Sequence, residues 1–381
     1  MRAPTNCNIL ICVNDSATAS RFFIDEMRSR TEIGRTAVVT GAEGFIGSSL
    51  TRELVHQGWD VVALHFPSAD LFRLEGVPVS LRPCDIMQPS DLEETVPYDV
   101  DAIFHLAADV RITSRRSNDQ HGVNLDGTRN VIEAAMRNRA RRFLYTSSMA
   151  SFGVHGDRIN ETTSSNAMAT AVPYFRSKYL GELEVDKGID LGLDAVIINP
   201  ANVVGPRDIK NMPAMYIRLV HQKKMHVMGP GQASFCHVED VARAMVSCVD
   251  RGRTGERYLL GGTDASFIEL GRIIEDIVGG RAPRLVLPAW AFRSAGSALD
   301  VYAKFRGVHN VLTKEMSLVL SSTMLVDSSK AIDELQYGTS TLREMITDEA
   351  EWLSEHGLLD GTASLLWHPK SGSIGKELRV R

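Results

Sequence analysis

The stretch Thr36-Ala-Val-Val-Thr-Gly-Ala-Glu-Gly-Phe-Ile-Gly47 sets the architecture of the chain. Its first half, Thr36 to Thr40, is apolar and β-branched, the composition of a strand buried on both faces of a parallel sheet. Gly41, Gly44 and Gly47 follow as G-x-x-G-x-x-G, wider at the first step than G-x-G-x-x-G. Glycines there supply a tight turn, a backbone close enough to touch a pyrophosphate, and close packing of helix on strand. The phosphates would lie over the N-terminus of a helix whose first turn holds Phe45 and Ile46, where unpaired N–H groups favour negative charge. Spacing alone also accommodates a plain glycine-rich turn between strand and helix. The strand before it, the apolar Leu50, Leu54 and Val55 after it, and a further strand at 60–66 favour the dinucleotide reading.

Outward from this stretch, strands alternate with helices, which predicts an α/β fold with a doubly wound parallel sheet of the Rossmann type. Strands are expected at 36–40, 60–66, 78–82, 101–107, 142–147 and 194–199, and the clearest helices at 46–57, 125–138 and 174–191. After Pro206 the pieces shorten to a helix near 212–222, a helix at 239–250, a strand at 257–260, then mostly helix to about 356. Residues 35–262 therefore read as the cofactor-binding domain, with 207–235 contributing to the substrate side. Residues 263–358 read as a smaller, mainly helical substrate-binding region at the carboxyl ends of the strands. Residues 1–34 precede the first strand. Their apolar run, Ile9 to Val13, is too short for a signal-peptide core, and the segment is expected to be a flexible extension or a product of start-codon choice at or before Met27. Residues 359–381 lose periodicity and read as a tail.

At 381 residues, with 44% hydrophobic and 23% charged residues, the chain has the composition of a soluble globular protein large enough for a substantial core. A net charge of -5 without a sustained basic run gives no reason to expect nucleic acid as a partner. The five cysteines, Cys7, Cys12, Cys84, Cys236 and Cys248, are scattered and odd in number, as suits free thiols in a reducing, cytoplasmic setting. No CxxC or HExxH cluster occurs, so no metal site is expected. No apolar stretch approaches a membrane span. A small-molecule substrate is the expected partner, with a homodimer open as the assembly.

The strand at 60–66 should end at the adenosine ribose, where an acidic residue favours NAD and an arginine NADP. The positions there are His65 and Phe66, so the cofactor is NAD or NADP with weak discrimination expected. Asp85 and Ile86 follow the next strand and either border the adenine or form an exposed loop. Tyr174-Phe-Arg-Ser-Lys178 places a phenol and an ammonium on one helix face. A tyrosine with a pKa of about 10 needs a nearby positive charge to act as an acid or base at neutral pH, and Lys178 would supply it. Taken alone, the pair also fits an ordinary half-buried surface tyrosine. Ser148, after the strand at 142–147, adds a hydroxyl at the same sheet edge. A hydroxyl to polarise a carbonyl, a phenol to move its proton and a lysine to tune the phenol suit hydride transfer with a nicotinamide.

Together these motifs resemble the extended short-chain dehydrogenase/reductases, the NAD-dependent epimerase/dehydratase family, from about Thr36 to Leu358. Thr40 to Gly47 resembles the family's TGxxGxxG loop, and Phe104-His-Leu-Ala-Ala108 its central strand with Leu106, Ala107 and Ala108 at the cofactor. Asn124-Leu-Asp-Gly-Thr128 resembles its helix start, with Asn124 near the active site, and Thr146-Ser-Ser148 carries its catalytic hydroxyl. The resemblance makes Tyr174 and Lys178 the catalytic pair, both also touching the cofactor, and Asp85 the adenine-side acid. Asn199-Pro-Ala-Asn-Val-Val-Gly-Pro206 resembles the segment lining the nicotinamide, through Pro200 and Val203, and His237-Val-Glu-Asp240 the HVxD helix entry.

Within the family the likeness is to the dihydroflavonol reductase, 3β-hydroxysteroid dehydrogenase and hopanoid-associated sugar epimerase group. NADP-using reductases of this group carry Arg where Phe66 stands, and nucleotide-sugar enzymes often carry Arg-Asp where Ala233 and Ser234 stand. The resemblance implies an oxidoreductase interconverting a ketone and a secondary alcohol on a steroid-, terpenoid- or flavonoid-like molecule. A nucleotide-sugar epimerase or dehydratase is the alternative, and a non-catalytic dinucleotide sensor is disfavoured by the intact Ser148, Tyr174 and Lys178. Asp109 to Arg115, Met149 to His155 and Leu285 to Phe305 are the expected pocket linings, and the apolar segment Leu285 to Phe292 reads equally as a substrate wall or as core.

Overall fold

In the computed structural model, β1 (Thr36–Thr40) is the central strand of the main sheet. The model describes residues 34–112, 117–307, 309–310, 312–360 and 366–367. The expected extension (except Gly34), most of the expected tail and residues 113–115 of the first pocket lining lie outside them.

The apolar stretch around β1 builds two layers at once because successive side chains of a strand point to opposite faces. Ala37 and Val39 meet Leu50 and Leu54 of α1 (Phe45–His56) on one face, while Val38 joins Val131 and Val185 on the other. The remaining strands of this sheet are β2 (Asp60–His65), β3 (Ser80–Pro83), β4 (Ala102–His105), β5 (Arg142–Thr146), β7 (Ala195–Pro200) and β11 (Arg257–Leu260). Their order is β11-β7-β5-β4-β1-β2-β3, seven strands, all pairs parallel. Chain order reverses between β1 and β4, which makes the carboxyl ends of these two strands the switch point where ligands of open α/β sheets bind. The connecting helices are α2 (Pro89–Thr95), α3 (Ser117–His121), α4 (Thr128–Arg137) and α5 (Pro173–Asp190). A π turn at Gly122–Gly127 leads into α4, so the helix expected from 125 becomes regular only at Thr128.

A second sheet, absent from the expectation, lies beyond the first. It contains β6 (Arg158–Ile159), β10 (Gln232–His237), β12 (Thr263–Ser266) and β15 (Thr323–Val326) in the order β12-β10-β15-β6, with β8 (Asn202–Val204) also on β10. These strands are short, and β10 reads Gln-Ala-Ser-Phe-Cys-His, with the polar Ser234 and His237 buried, so it lacks the apolar run that marks a strand buried on both faces. Around them pack α6 (Met212–His221), α7 (Val238–Arg251), α8 (Phe267–Val278), α9 (Ala289–Arg306), α10 (Lys314–Val319), α11 (Ser329–Leu335) and α12 (Leu342–Glu355). The C-terminal region is thus mainly helical. Ser266 with Glu269 and Thr341 with Glu344 form capping boxes that start α8 and α12. Tyr216, Phe235, Phe267, Met345, Ile346 and Leu353 form its core.

Leu285 to Phe292 is core only in part. Leu287 and Phe292 pack into this second core, whereas Leu285, Val286 and Trp290 face solvent. An apolar run in sequence carries no record of which of its sides meets protein.

Candidate active site

Gly41 takes the left-handed conformation (φ 67°), and a Cβ there would stand 2.7 Å from the Ala107 nitrogen. A Cβ on Gly47 would stand 2.1 Å from the Gly41 carbonyl oxygen. Both positions therefore require glycine on steric grounds. Gly44 caps α1 with no side-chain acceptor and no acidic residue in the first turn, leaving the leading N–H groups of the helix open. This cradle fits a dinucleotide pyrophosphate, with Phe45 and Ile46 beginning the helix behind it.

The loop is fastened to β4 through Thr40. Its hydroxyl accepts from the Leu106 and Ala107 N–H groups (3.2 Å each) and lies 2.8 Å from His105 Nδ1. On the other side, His105 Nε2 is 3.1 Å from the Thr128 hydroxyl, which donates to the Asn124 carbonyl. Burial, with the nearby Lys178 charge, pushes the imidazole down to about 3, so His105 is neutral. With Thr128 already donating, Nε2 carries the hydrogen and Nδ1 accepts from Thr40. Leu106, Ala107 and Gly41 are thereby brought together, with Ala108 next in the same chain.

Asn124 is fully buried in the π turn. Its side-chain oxygen accepts from the Asp109 N–H (2.7 Å), and its amide donates to the Asp109 carbonyl (2.9 Å) and to Ser177 Oγ (2.9 Å). Ser177 in turn donates to the Tyr174 carbonyl. One side chain thus ties the segment leaving β4 to the first turn of α5, where Pro173 at the start supplies a preset φ.

Ser148 follows β5 in extended conformation and caps the short turn Met149–Phe152, accepting from the Ala150 N–H. Burial pushes the half-buried Tyr174 phenol up to about 12, and the nearby Ser148 hydroxyl acts the other way. Lys178 is 3% exposed and donates to the Thr146 carbonyl (2.9 Å). Burial pulls it down to about 8 against the raising effect of Glu182. The Lys178 ammonium is directed to the end of β5.

Beneath these groups lies a buried polar network. Glu182 accepts from Ser147 Oγ (2.5 Å), from the Asn199 amide (2.6 Å) and from Arg257 Nε (2.9 Å). The Asn199 amide also reaches the Ser148 carbonyl (3.1 Å), so the backbone of Ser148 is held from below. Pro200 ends β7 directly after Asn199, and Val203 lies opposite Cys236 in the β8–β10 pair.

The other expected site residues sit farther out. Asp85 accepts from the Met87 N–H in a half-exposed turn, and Ile86 packs where a Cβ on Gly127 would stand, 2.7 Å away. No described hydrogen bond joins Asp85 to the glycine loop. His65 is buried with Nδ1 against the Phe66 carbonyl, while the Phe66 ring is exposed.

Sequence reading passed over Glu43, which reaches from the glycine loop to the end of β2. Its Oε1 accepts from the Phe66 N–H (3.2 Å), and its Oε2 is buried with no hydrogen-bond partner. A carboxylate between the first and second glycines was the available signal.

Tyr174 packs against an apolar cluster. Met149, Phe152, Met324 and Val326 are buried, with Ile112, Val154, Leu318 and Val319 packed against them. Two open surface hollows, one beside β12 and α8 and one at β2 and β3, include none of Ser148, Tyr174 or Lys178. Among the described residues no cluster of His, Cys, Asp or Glu could hold a metal ion, and no helix is long and apolar enough to cross a membrane.

Comparison with known proteins places this geometry. The model of the NAD-dependent epimerase/dehydratase family matches residues 37–261. The chain belongs to that family and is an NAD-dependent enzyme of the extended short-chain dehydrogenase/reductase type. It is 29% identical to a putative dihydroflavonol 4-reductase of Synechocystis sp., over 84% of this chain and 94% of the relative. It is 28% identical to sterol demethylase protein B of Methylococcus capsulatus, over 85% of this chain and 100% of the relative. Among solved structures, gox2253 superposes with a TM-score of 0.75 at 30% identity, covering 85% of this chain and 99% of that one.

Proposed function

We propose that the protein interconverts a ketone and a secondary alcohol on a hydrophobic, steroid-, terpenoid- or flavonoid-like small molecule. The observation that carries this reading is the Tyr174 phenol packed against the apolar cluster of Met149, Phe152, Leu318 and Met324, with the Ser148 hydroxyl near it. NAD, when bound, supplies the hydride chemistry. Ser148 donates to the substrate oxygen, and Tyr174 passes a proton to or from it. The Lys178 ammonium, held at the Thr146 carbonyl one helical turn from Tyr174, lowers the cost of the phenolate. Asn124 orients the first turn of α5, and Gly41, Gly44 and Gly47 seat the pyrophosphate. In this assignment residues 35–262 bind cofactor, and 207–235 with 263–358 cover the substrate.

The Glu43 carboxylate reaches the end of β2, the strand end at which dinucleotide-binding sheets read the adenosine ribose. A carboxylate accepts from a ribose hydroxyl and repels a 2′-phosphate, so the preferred cofactor is NAD despite His65 and Phe66. Arg73 approaches from the far side, but its Nε is engaged by the Arg207 carbonyl (2.8 Å). A cytoplasmic location fits the buried free thiols of Cys84, Cys236 and Cys248.

The runner-up, a nucleotide-sugar epimerase or dehydratase, needs cationic donors for a diphosphate. Ala233 is buried and apolar, Arg207 is held by Ser49 and Glu239, and Arg218 donates to the Ile209 carbonyl beside buried Asp208 and Glu349. Lys210 alone of the cations considered is exposed. The test is loss of reduced-nicotinamide absorbance across a panel of hydrophobic ketones, with nucleotide sugars in parallel. Turnover confined to the nucleotide sugars overturns the reading.

A further inference from the structure

The exposed face of α9 is apolar in a way no other described helix is. Trp290 is 74% exposed, Val301 68% and Phe305 88%. With 3.6 residues per turn, Trp290, Ser294, Ala298, Val301 and Phe305 share one face. Phe292, Gly296 and Ala303 lie on the opposite face and are buried against the protein. The apolar strip therefore points directly outward. Arg293 and Lys304 border it on one side, Tyr302 and Arg306 on the other. From Arg281 to Arg306 every exposed charged residue is a cation, and Asp300, the single acid, is buried, although the whole chain carries a net charge of -5.

An apolar stripe with aromatic residues, flanked by basic side chains long enough to keep their charge in the headgroup layer, is the pattern of a helix lying in a membrane interface. We propose that α9 and the preceding strand β13 (Leu285–Val286) dock this enzyme on an anionic bilayer surface, with Trp290, Val301 and Phe305 inserted and Arg293, Lys304 and Arg306 at the headgroups. Charge chooses this occupant over a second copy of the chain. A two-fold interface through the same face would set these cations against one another, whereas an anionic leaflet neutralises them.

The placement also bears on the site. Phe292 anchors α9 in the second core, and Gly296 allows it to approach Ser317 of α10 so closely that a Cβ would stand 2.5 Å from that side chain. Leu318 and Val319 of α10 belong to the apolar cluster that includes Tyr174. One helix thus separates the bilayer-facing surface from the candidate active site. Docking itself requires no particular substrate.

Co-sedimentation of the full chain with vesicles tests the proposal. Binding should be strong to phosphatidylcholine vesicles containing phosphatidylglycerol, weak to phosphatidylcholine alone, and reduced by high salt. Lys304→Gln with Arg306→Gln should weaken anionic binding about 25-fold, from about fivefold per cation. Trp290→Ser with Phe305→Ser should weaken binding to both vesicle types while leaving melting temperature unchanged. Three results would overturn it: no excess binding to anionic vesicles, wild-type binding by the substituted proteins, or a dimer that the aromatic substitutions convert to monomer in light scattering without any vesicle binding.

Discussion

Replacing Lys178 with methionine should make the cofactor-free protein more stable while abolishing turnover. The fall of the ammonium from its ordinary 10.5 to about 8 corresponds to roughly 3 kcal/mol against the buried charged form. Methionine fills similar space without charge but leaves the Thr146 carbonyl, now 2.9 Å from Nζ, without its donor. That unpaired acceptor costs about 1 kcal/mol, so the net gain at pH 7 is about 2 kcal/mol. For a chain of this size that is about 2–3 °C in melting temperature.

The pH dependence gives the sign. Lys178 titrates lower in the folded than in the unfolded chain, so between about pH 8 and 10.5 the unfolded state holds the extra proton and wild-type stability rises with pH. The advantage of Lys178→Met is therefore complete below about pH 8, shrinks through that window, and reverses to a deficit of about 1 kcal/mol above it. Urea denaturation of both proteins, followed by circular dichroism at pH steps from neutral to above 10.5, measures the difference directly. A difference that does not change with pH, or a methionine protein less stable at pH 7, refutes the reasoning.

Tyr174→Phe should lower turnover at least about 100-fold with cofactor affinity nearly intact; single-turnover kinetics with fluorescence titration of NADH checks both, and near-wild-type turnover would remove Tyr174 from the chemistry. Wild type should bind NADH about tenfold or more tighter than NADPH, and Glu43→Gln should narrow that ratio by about tenfold, or about 1.4 kcal/mol. An unchanged ratio in the glutamine protein would mean that another residue reads the ribose. Gly47→Ala forces a methyl to 2.1 Å from the Gly41 carbonyl oxygen, so NADH affinity should fall at least about tenfold and stability by about 1–3 kcal/mol; retention of both would show the loop to be more pliant than the contact allows.

The main sheet was legible because its strands are two-sided: Ala37 to Val39 and Ala195 to Ile198 are apolar throughout, and burial on both faces leaves that mark. The second sheet was not. Its strands are short, and Ser234 in β10 is buried because its hydroxyl bonds Asp264 and the Val326 N–H, a partnership no pattern encodes. Helical spacing placed Tyr174 and Lys178 on one face, yet it could not say that the ammonium turns to Thr146. Glu43 escaped notice because its partner, Phe66, is distant in sequence. Leu285 to Phe292 stayed open between two readings for a related reason, since apolarity alone does not distinguish core, cavity wall and docking surface.

Calorimetric titration of the cofactor-loaded protein tests the substrate class most directly. With Ala233 buried and apolar, and Arg207 and Arg218 each bound to protein partners through one guanidinium nitrogen, UDP-glucose should give no measurable heat at millimolar concentration, whereas a steroid ketone should bind and, in the NADH-loaded protein, be reduced. Micromolar binding of UDP-glucose accompanied by epimerised product would contradict the account and make the enzyme a nucleotide-sugar epimerase.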